Sequence, residues 1–144
     1  MAVNPIPPGF HSITPYFSVN DAKQFMTFLK KAFSAEEHFR MNRHDGTIAH
    51  ASMQIGDSMI EVSDARPEFP AVSMSVHLFV ENVDAVYNCA VSAGAVSVMA
   101  PMTQFYGDRE SYVKDPFGNN WYIATHVEDV PEDEIERRMK AQDQ

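Results

Sequence analysis

Side chains that could bind a ligand or transfer a proton recur at alternate positions of several short segments. His50, Glu61, His77 and Tyr122 each stand in a stretch of alternating character. Imidazole and carboxylate groups bind divalent metals and exchange protons, and tyrosine hydroxyls form hydrogen bonds with small molecules. Because alternate residues of a β-strand point to the same side of a sheet, this spacing predicts a polar sheet face that contacts a ligand.

Two sets of side chains can be separated in the strands whose alternation is clear. One set is largely apolar and is expected to pack beneath helices: Ile13, Phe17, Val19, Ala51, Met53, Ile55, Ile60, Val62, Val76, Leu78, Val80, Trp121, Ile123 and Thr125. The other set is mixed: Thr14, Tyr16, Ser18, His50, Ser52, Gln54, Met59, Glu61, Ser63, Ser75, His77, Phe79, Asn120, Tyr122, Ala124 and His126. Histidines, tyrosines and small residues favour a cavity lining, and a half-hydrated face with hydrogen-bonded histidines is the alternative.

The elements that position these residues follow one order twice. A strand over residues 12–19 leads to the capped helical segment AKQFMTFLKKAF, and three strands separated by turns follow, up to residue 64. After the loop ARPEFPA, the strand SVHLFV, a second helical segment and three further strands repeat that order. The junctions FSVNDA and FVENVDA match, which indicates an internal duplication with a period of about 62 residues.

This order predicts an α+β fold in one domain spanning residues 1–144. Module one covers about 12–64 and module two about 74–126, each with the order βαβββ. Either module alone would expose one face of its sheet, so two sheets are expected to complete one another. Pro131 and the acidic start and basic end of PEDEIERRMK predict a short C-terminal helix over about 131–140.

Composition excludes several classes of function. The net charge of −9 disfavours nucleic acid and anionic membrane surfaces as partners. A single cysteine, Cys89, allows neither an internal disulfide nor a multi-cysteine zinc site. The N-terminal segment has neither a signal peptide pattern nor an apolar span, so a cytoplasmic protein is expected. The chain has no nucleotide-binding glycine motif, nucleophile elbow or HExxH spacing.

The segments TPYFSVNDA, GTIAHASMQIGDSMIEVSDA, FYGDR, KDPFGNNW and IATHVED resemble those of a known family. Over residues 12–126 the chain resembles the vicinal oxygen chelate superfamily, which includes glyoxalases, bleomycin-resistance proteins and extradiol dioxygenases. The resemblance is greatest to its phosphonate-operon-protein-like (PhnB-like) branch. It implies that the two modules form a curved mixed sheet, or cup, that binds a small molecule, and that the protein is a homodimer.

The same resemblance implies where a metal would be bound. The metal-ligand positions of that superfamily correspond here to Thr14, Glu61, Ser75 and Tyr122, of which Glu61 alone is a good ligand. Because catalytic metal sites need about three protein ligands, the usual site is not expected. A displaced site formed by Glu61, His50 and His77 is the alternative.

One further side chain could recognise an acidic ligand. Arg109, in the segment Gly107-Asp108-Arg109, could bind a carboxylate or phosphate group, or an Asp–Arg pair could brace the loop. The predicted ligand-binding residues are therefore Tyr16, His50, Glu61, His77, Arg109 and Tyr122. No catalytic residue is assigned.

Three functions are compatible with these observations. The first is binding of a small molecule without metal or other cofactor. The second is a divalent-metal-dependent isomerase, lyase or dioxygenase that acts on a substrate with vicinal oxygens. The third is a structural or interaction module.

Overall fold

The protein is described by a computed structural model that covers residues 2–143. The chain divides into two compact units, the first ending at Met74 and the second beginning at Ser75. Each unit contains one four-stranded mixed sheet and the element order βαβββ, and a C-terminal helix follows in the second unit. The predicted α+β class with two βαβββ modules is therefore confirmed.

The first unit begins with a parallel strand pair that is extended by two antiparallel strands. Its elements are β1 (Tyr16–Val19), α1 (Ala22–Phe33), β2 (Glu36–Asn42), β3 (Ile48–Ile55) and β4 (Ser58–Asp64). The strand order is β1-β4-β3-β2, with β1 parallel to β4. The helix connects β1 to the rest of the sheet, as a parallel pair requires a crossover connection.

Helix α1 is defined by both its ends and its apolar face. The side chain of Asp21 accepts a hydrogen bond from the Gln24 amide at 3.3 Å and caps the first turn. Ser34 ends the helix in the left-handed region with φ 55°. Seven apolar side chains of α1, at spacings of three and four, are buried. The helix is therefore attached to the sheet mainly by hydrophobic packing.

The second unit repeats this arrangement. Its elements are β5 (Ser75–Phe79), α2 (Val83–Ser92), β6 (Val96–Thr103), β7 (Asp108–Lys114), β8 (Asn120–His126) and α3 (Glu132–Gln142). The strand order is β5-β8-β7-β6, with β5 parallel to β8. Asn82 caps α2 by accepting a hydrogen bond from the Ala85 amide at 3.1 Å.

The parallel strand pairs of the two units have equivalent registers. Phe17 is opposite Val62 in the first unit, and Leu78 is opposite Ile123 in the second. Both members of the second pair lie 61 positions after those of the first pair. The same offset relates the caps Asp21 and Asn82, so equivalent positions can be compared directly.

The first strand is shorter than the alternation of residues 12–19 predicts. β1 starts at Tyr16, and the Ile13 side chain, which was expected in the core, is 86% exposed. Pro15 has no N–H group to continue the ladder, and its carbonyl accepts the last bond, from the Glu61 amide at 2.9 Å. The prediction that Ile13 is buried is therefore wrong.

The C-terminal segment is held to the second unit by one arginine and one glycine. Arg138 of α3 donates to the Phe105 carbonyl at 3.0 Å and to both oxygens of Glu128. The Gly107 carbonyl accepts from the amides of Val127 and Glu128, and a Cβ on Gly107 would lie 2.2 Å from the Glu128 carbonyl oxygen. None of the helices within residues 2–143 has the length and hydrophobicity needed to span a bilayer.

Candidate functional site

The polar face of the first sheet brings together three of the predicted residues. Tyr16 on β1 lies directly opposite Glu61 on β4. The His50 Nε2 atom is 3.8 Å from Glu61 Oε1, and the rings of Tyr16 and His50 are 6.1 Å apart. His50 and Glu61 each keep about a third of their side-chain surface exposed, at 31% and 30%. The pair is thus close enough to interact and open enough to contact a ligand.

A cavity of about 560 Å³ opens within the first unit. It is lined by Tyr16, Ser18, Arg43, Ala49, Ser63, Asp64, Arg66, Glu68, Phe69, Pro70, Val72 and Met74. Tyr16 and Ser18 place it on the polar side of β1, since Phe17 and Val19 point into the core. Its volume lies within the roughly 300–1,000 Å³ that small-molecule sites occupy.

The polar face of the second sheet brings together two of the predicted residues and one that was not predicted. His77 on β5 lies opposite Tyr122 on β8, and their rings are stacked 6.5 Å apart. The His77 Nε2 atom is 3.0 Å from Oε1 of Glu110, whose side chain is 12% exposed. The Tyr106 hydroxyl donates to the other oxygen of Glu110. Tyr106, Glu110 and His77 therefore form a chain of hydrogen-bonding groups that ends at a half-exposed imidazole.

Two tyrosines continue this face. The rings of Tyr112 and Tyr122 are in edge contact at 4.4 Å, and the Tyr112 hydroxyl donates to Asn120 at 2.8 Å. Burial and the neighbouring Tyr112 hydroxyl raise the pKa of Tyr122. Burial and the bond to Glu110 raise the pKa of Tyr106 well above its ordinary value. Both phenols therefore stay protonated at neutral pH and can donate hydrogen bonds.

Arg109 lies on the other side of β7. Neighbouring strand residues point to opposite faces, and Ser111 and Val113, which share the side of Arg109, are fully buried. The guanidinium donates to both oxygens of Asp84 on α2, at 2.8 and 2.9 Å. These bonds lower the pKa of Asp84. Arg109 therefore lies on the side of β7 that faces α2 and forms an Asp–Arg pair with Asp84, and its contact with a ligand stays a prediction.

The turn before β8 is held by a buried carboxylate. Asp115 Oδ1 accepts from the amides of Phe117 and Asn119, and Oδ2 accepts from Trp121 Nε1 at 2.8 Å and from the Asn119 side chain at 3.1 Å. Asp115 and Asn119 are buried at 4% and 0% exposure. The segment KDPFGNNW therefore builds a rigid turn and positions the start of β8.

The last residue of β8 has a separate electrostatic environment. The His126 ring nitrogens lie 2.7 Å from Asp108 and 2.7 Å from Asp129. The hydrogen bond to Asp108, and then that to Asp129, raises the pKa of His126. Both ring nitrogens of His126 are therefore already bonded to carboxylate oxygens.

Among the described residues, the side chains that could bind a divalent metal ion do not come together as a metal site requires. Of the positions that the resemblance implies, Glu61 lies opposite Tyr16 and Tyr122 lies opposite His77, so neither is paired directly with Thr14 or Ser75. Within residues 2–143, no three His, Cys, Asp or Glu side chains are grouped so that they could hold a metal ion. The described donor set does not fit a metal site that needs about three ligands.

Sequence reasoning missed Glu110 and Tyr106. The segment ESYVKDP is one of the three strands predicted after the second helix. Because Val113 is apolar and strand residues alternate, Tyr112 and Glu110 belong to the opposite, polar face. That signal was present in the sequence. No signal in the sequence indicated the contact from Tyr106, because Tyr106 lies in the turn before β7 and its direction depends on the turn conformation.

A chain that contains the order βαβββ twice belongs to a recognisable class of proteins. Comparisons with known proteins identify the family. Residues 9–123 match the family described as Glyoxalase/Bleomycin resistance protein/Dioxygenase superfamily, and the chain belongs to this family. An uncharacterized protein of Mycobacterium bovis is 33% identical over 99% of this chain and 98% of its own length. The family resemblance seen in the sequence is thereby confirmed.

Solved structures have the same fold. TioX from Micromonospora sp. ML1 superposes with a TM-score of 0.70 and 22% identity over 81% of this chain and 99% of TioX. A PhnB protein from Bacillus cereus superposes with a TM-score of 0.65 and 17% identity over 80% of this chain and 99% of that protein. At these identities the likeness concerns the fold.

Proposed function

We propose that the protein binds a small organic molecule on the polar faces of its sheets, without a metal ion. Tyr16, which borders the cavity of the first unit, and its neighbours His50 and Glu61 would contact a ligand of that unit. His77 and Tyr122 would contact a ligand of the second unit. The observation that carries the proposal is the cavity of about 560 Å³ that Tyr16 borders. A cavity of this size on the face predicted from the sequence favours ligand binding over a purely structural role.

The contacts of the two histidines support the metal-free form of the proposal. His50 lies near Glu61, and His77 is bound to Glu110, which Tyr106 also contacts. Each imidazole thus interacts with one carboxylate of its own unit. Such pairs orient a histidine for hydrogen bonding with a ligand, and each supplies fewer donors than a metal site requires.

Binding is tested with N-phenylnaphthylamine, an uncharged aromatic molecule whose fluorescence rises in apolar sites. We expect saturable binding to the wild-type protein and weaker binding to Tyr16→Ala, because the phenol borders the cavity. Tyr87→Ala is the matched control, since the Tyr87 hydroxyl bonds to Ser97 on the second unit's helix side. Equal affinities of the wild type and Tyr16→Ala, or no binding at all, would contradict the proposal.

The metal-dependent alternative is tested separately. The protein is purified without chelator, bound metal is measured by mass spectrometry, and melting temperatures are recorded with added nickel, zinc, cobalt or manganese. We expect no stoichiometric metal and no metal-dependent shift. Near-stoichiometric metal that disappears in Glu61→Ala would overturn the metal-free proposal and favour an isomerase, lyase or dioxygenase.

A homodimer is also proposed, on the family resemblance. Helix α3 buries none of its residues within the chain. If it helps to pair subunits, truncation after Asp129 should raise the monomer fraction measured by light scattering. An unchanged mass would contradict this role for α3.

A further inference from the structure

Two arginines border the cavity of the first unit. Arg43 Nη1 donates to the Thr47 hydroxyl at 3.2 Å and to the Ile48 carbonyl at 3.3 Å. The Arg66 guanidinium lies over the ring of Phe69, 5.5 Å from its centroid. Among the described residues, neither arginine forms an ion pair with a carboxylate. A guanidinium has five N–H donors, so both side chains keep donors for a ligand.

Two carboxylates also border the cavity, and they differ in how they are used. Asp64 accepts from the Ala22 amide at 2.8 Å and from the Ile48 amide at 2.7 Å, so each of its oxygens is bound to the backbone. Glu68 is exposed and forms no ion pair within residues 2–143. Asp64 keeps its negative charge, which the two amides offset in part, and Glu68 is the second opposing charge that an acidic ligand would meet.

The remaining wall is apolar and is fixed by hydrogen bonds. Phe69, Pro70, Val72 and Met74 supply it. The Ser18 hydroxyl donates to the Pro70 carbonyl at 3.1 Å, and the Val72 amide donates to the Ser18 carbonyl at 3.1 Å. Arg66 and Phe69 also exchange two backbone hydrogen bonds, at 2.8 and 2.9 Å. This wall is thus attached to β1 and is available as a preformed apolar surface.

We infer that this cavity binds an organic anion, a molecule with a carboxylate, phosphate or sulfonate group on an apolar or aromatic body. The acidic group contacts Arg43 and Arg66, whose planar guanidinium groups match such oxygens. The body packs against the wall formed by Phe69 to Met74. The inference rests on the proposed function for the existence of a small-molecule site, and it adds the charge and shape of the ligand.

Two fluorescent probes separate this inference from the proposed function. Anilinonaphthalene sulfonate has the aromatic body of N-phenylnaphthylamine and one additional sulfonate group. We expect the sulfonate to bind the wild-type protein more tightly than the uncharged probe. In Arg66→Gln we expect about a tenfold loss of sulfonate affinity, which corresponds to one charge-assisted hydrogen bond, and little change for the uncharged probe.

Two further variants serve as controls for charge. Arg137→Gln removes the same charge from α3, where Arg137 is bound to Glu134, and should leave the affinity for the sulfonate unchanged. Glu68→Gln removes the opposing carboxylate and should strengthen sulfonate binding. Because Arg66 and Glu68 are both exposed, neither substitution is expected to unfold the chain.

The outcomes are distinct. Loss of sulfonate affinity in Arg66→Gln but not in Arg137→Gln supports the inference. Equal sulfonate affinities in the wild type and Arg66→Gln overturn it, and they leave the proposed function standing if the uncharged probe still binds. If neither probe binds, both the inference and the proposed function fail.

Discussion

The two units have the same topology and the same register, yet they are stabilised differently. Among the described residues, seventeen buried apolar side chains belong to the first unit and seven to the second. Helix α1 buries seven residues, whereas α2 buries two. Within the described part of the chain, the second unit buries Glu110, Ser111, Asp115 and Asn119, whereas the buried polar residues of the first unit are Ser52 and Ser63. One backbone plan therefore tolerates both an apolar core and a hydrogen-bonded polar one, provided that the buried polar groups are paired.

The polar faces differ in a related way. At three equivalent positions the first unit has Tyr16, Glu61 and His50, and by strand register the second has His77, Tyr122 and Glu110. At these three positions each face thus has one tyrosine, one histidine and one glutamate, in a different order. In the first unit the His–Glu distance is 3.8 Å, and in the second it is 3.0 Å with a tyrosine on the same carboxylate. The second face is the more rigidly organised of the two.

The largest effect is expected from the apolar core of the first unit. Phe25→Ala removes a fully buried ring and should lower the free energy of unfolding by about 4 kcal/mol. At the equivalent position of α2, Val86 is half-buried, and Val86→Ala should cost about 1 kcal/mol. Denaturant titration measures both values. Similar losses at the two positions would show that the cores do not differ as described.

The buried carboxylate of the second unit comes next. Asp115→Ala leaves the amides of Phe117 and Asn119 and the Trp121 indole without this acceptor, and it should cost about 3 kcal/mol. Asp57, in the corresponding turn of the first unit, is exposed, and Asp57→Ala should cost less than about 0.5 kcal/mol. Hydrogen exchange should show the loss of protection in the β7–β8 turn of Asp115→Ala. Full protection there would contradict the assigned role.

The polar faces provide a third comparison. Glu110→Ala leaves the Tyr106 hydroxyl without its acceptor and should cost about 2 kcal/mol. His50→Ala, at the equivalent position, breaks a longer and more exposed contact and should cost less than about 0.5 kcal/mol. Thermal unfolding monitored by circular dichroism measures both variants. An equal loss in both would mean that the second face is no more organised than the first.

The smallest expected effect is a pH dependence confined to the second unit. Since the pKa of His126 is raised in the folded state, its contribution to stability is fully present below the ordinary imidazole value of about 6.5. That contribution is lost as the pH rises through the raised value. Position 65, the equivalent in the first unit, is alanine, so His126→Ala is the natural test. The variant's melting temperature should fall less than that of the wild type over this pH interval, and identical curves would refute the assignment.

The sequence predicted much of the fold because the relevant signals are local. Alternation and turn residues were sufficient for the strands, and helix α1 was located from its cap and apolar spacing. The duplication followed from matching junctions such as FSVNDA and FVENVDA. Ile13 shows the limit, since alternation continues through a proline that cannot extend the ladder.

The candidate site was recovered in part for the same reason. His50 and Glu61, and His77 and Tyr122, were placed on polar faces because strand parity is readable from the apolar residues between them. The partner of His77 could not be identified, because Glu110 approaches it across the strand order β5-β8-β7. For Arg109 the sequence left a ligand contact and an Asp–Arg pair both open, because it carries no signal that Asp84, 25 residues earlier, would bind it.

By itself, the sequence determined the element order, the duplication and the side of each strand that is polar, since these depend on periodicities of a few residues. The tertiary structure decided which charged groups pair with one another and where the cavity lies. Such contacts join residues far apart in the chain, as when Asp64 binds the amides of Ala22 and Ile48. They depend on where each side chain points to within a few ångströms, which a local sequence pattern does not specify.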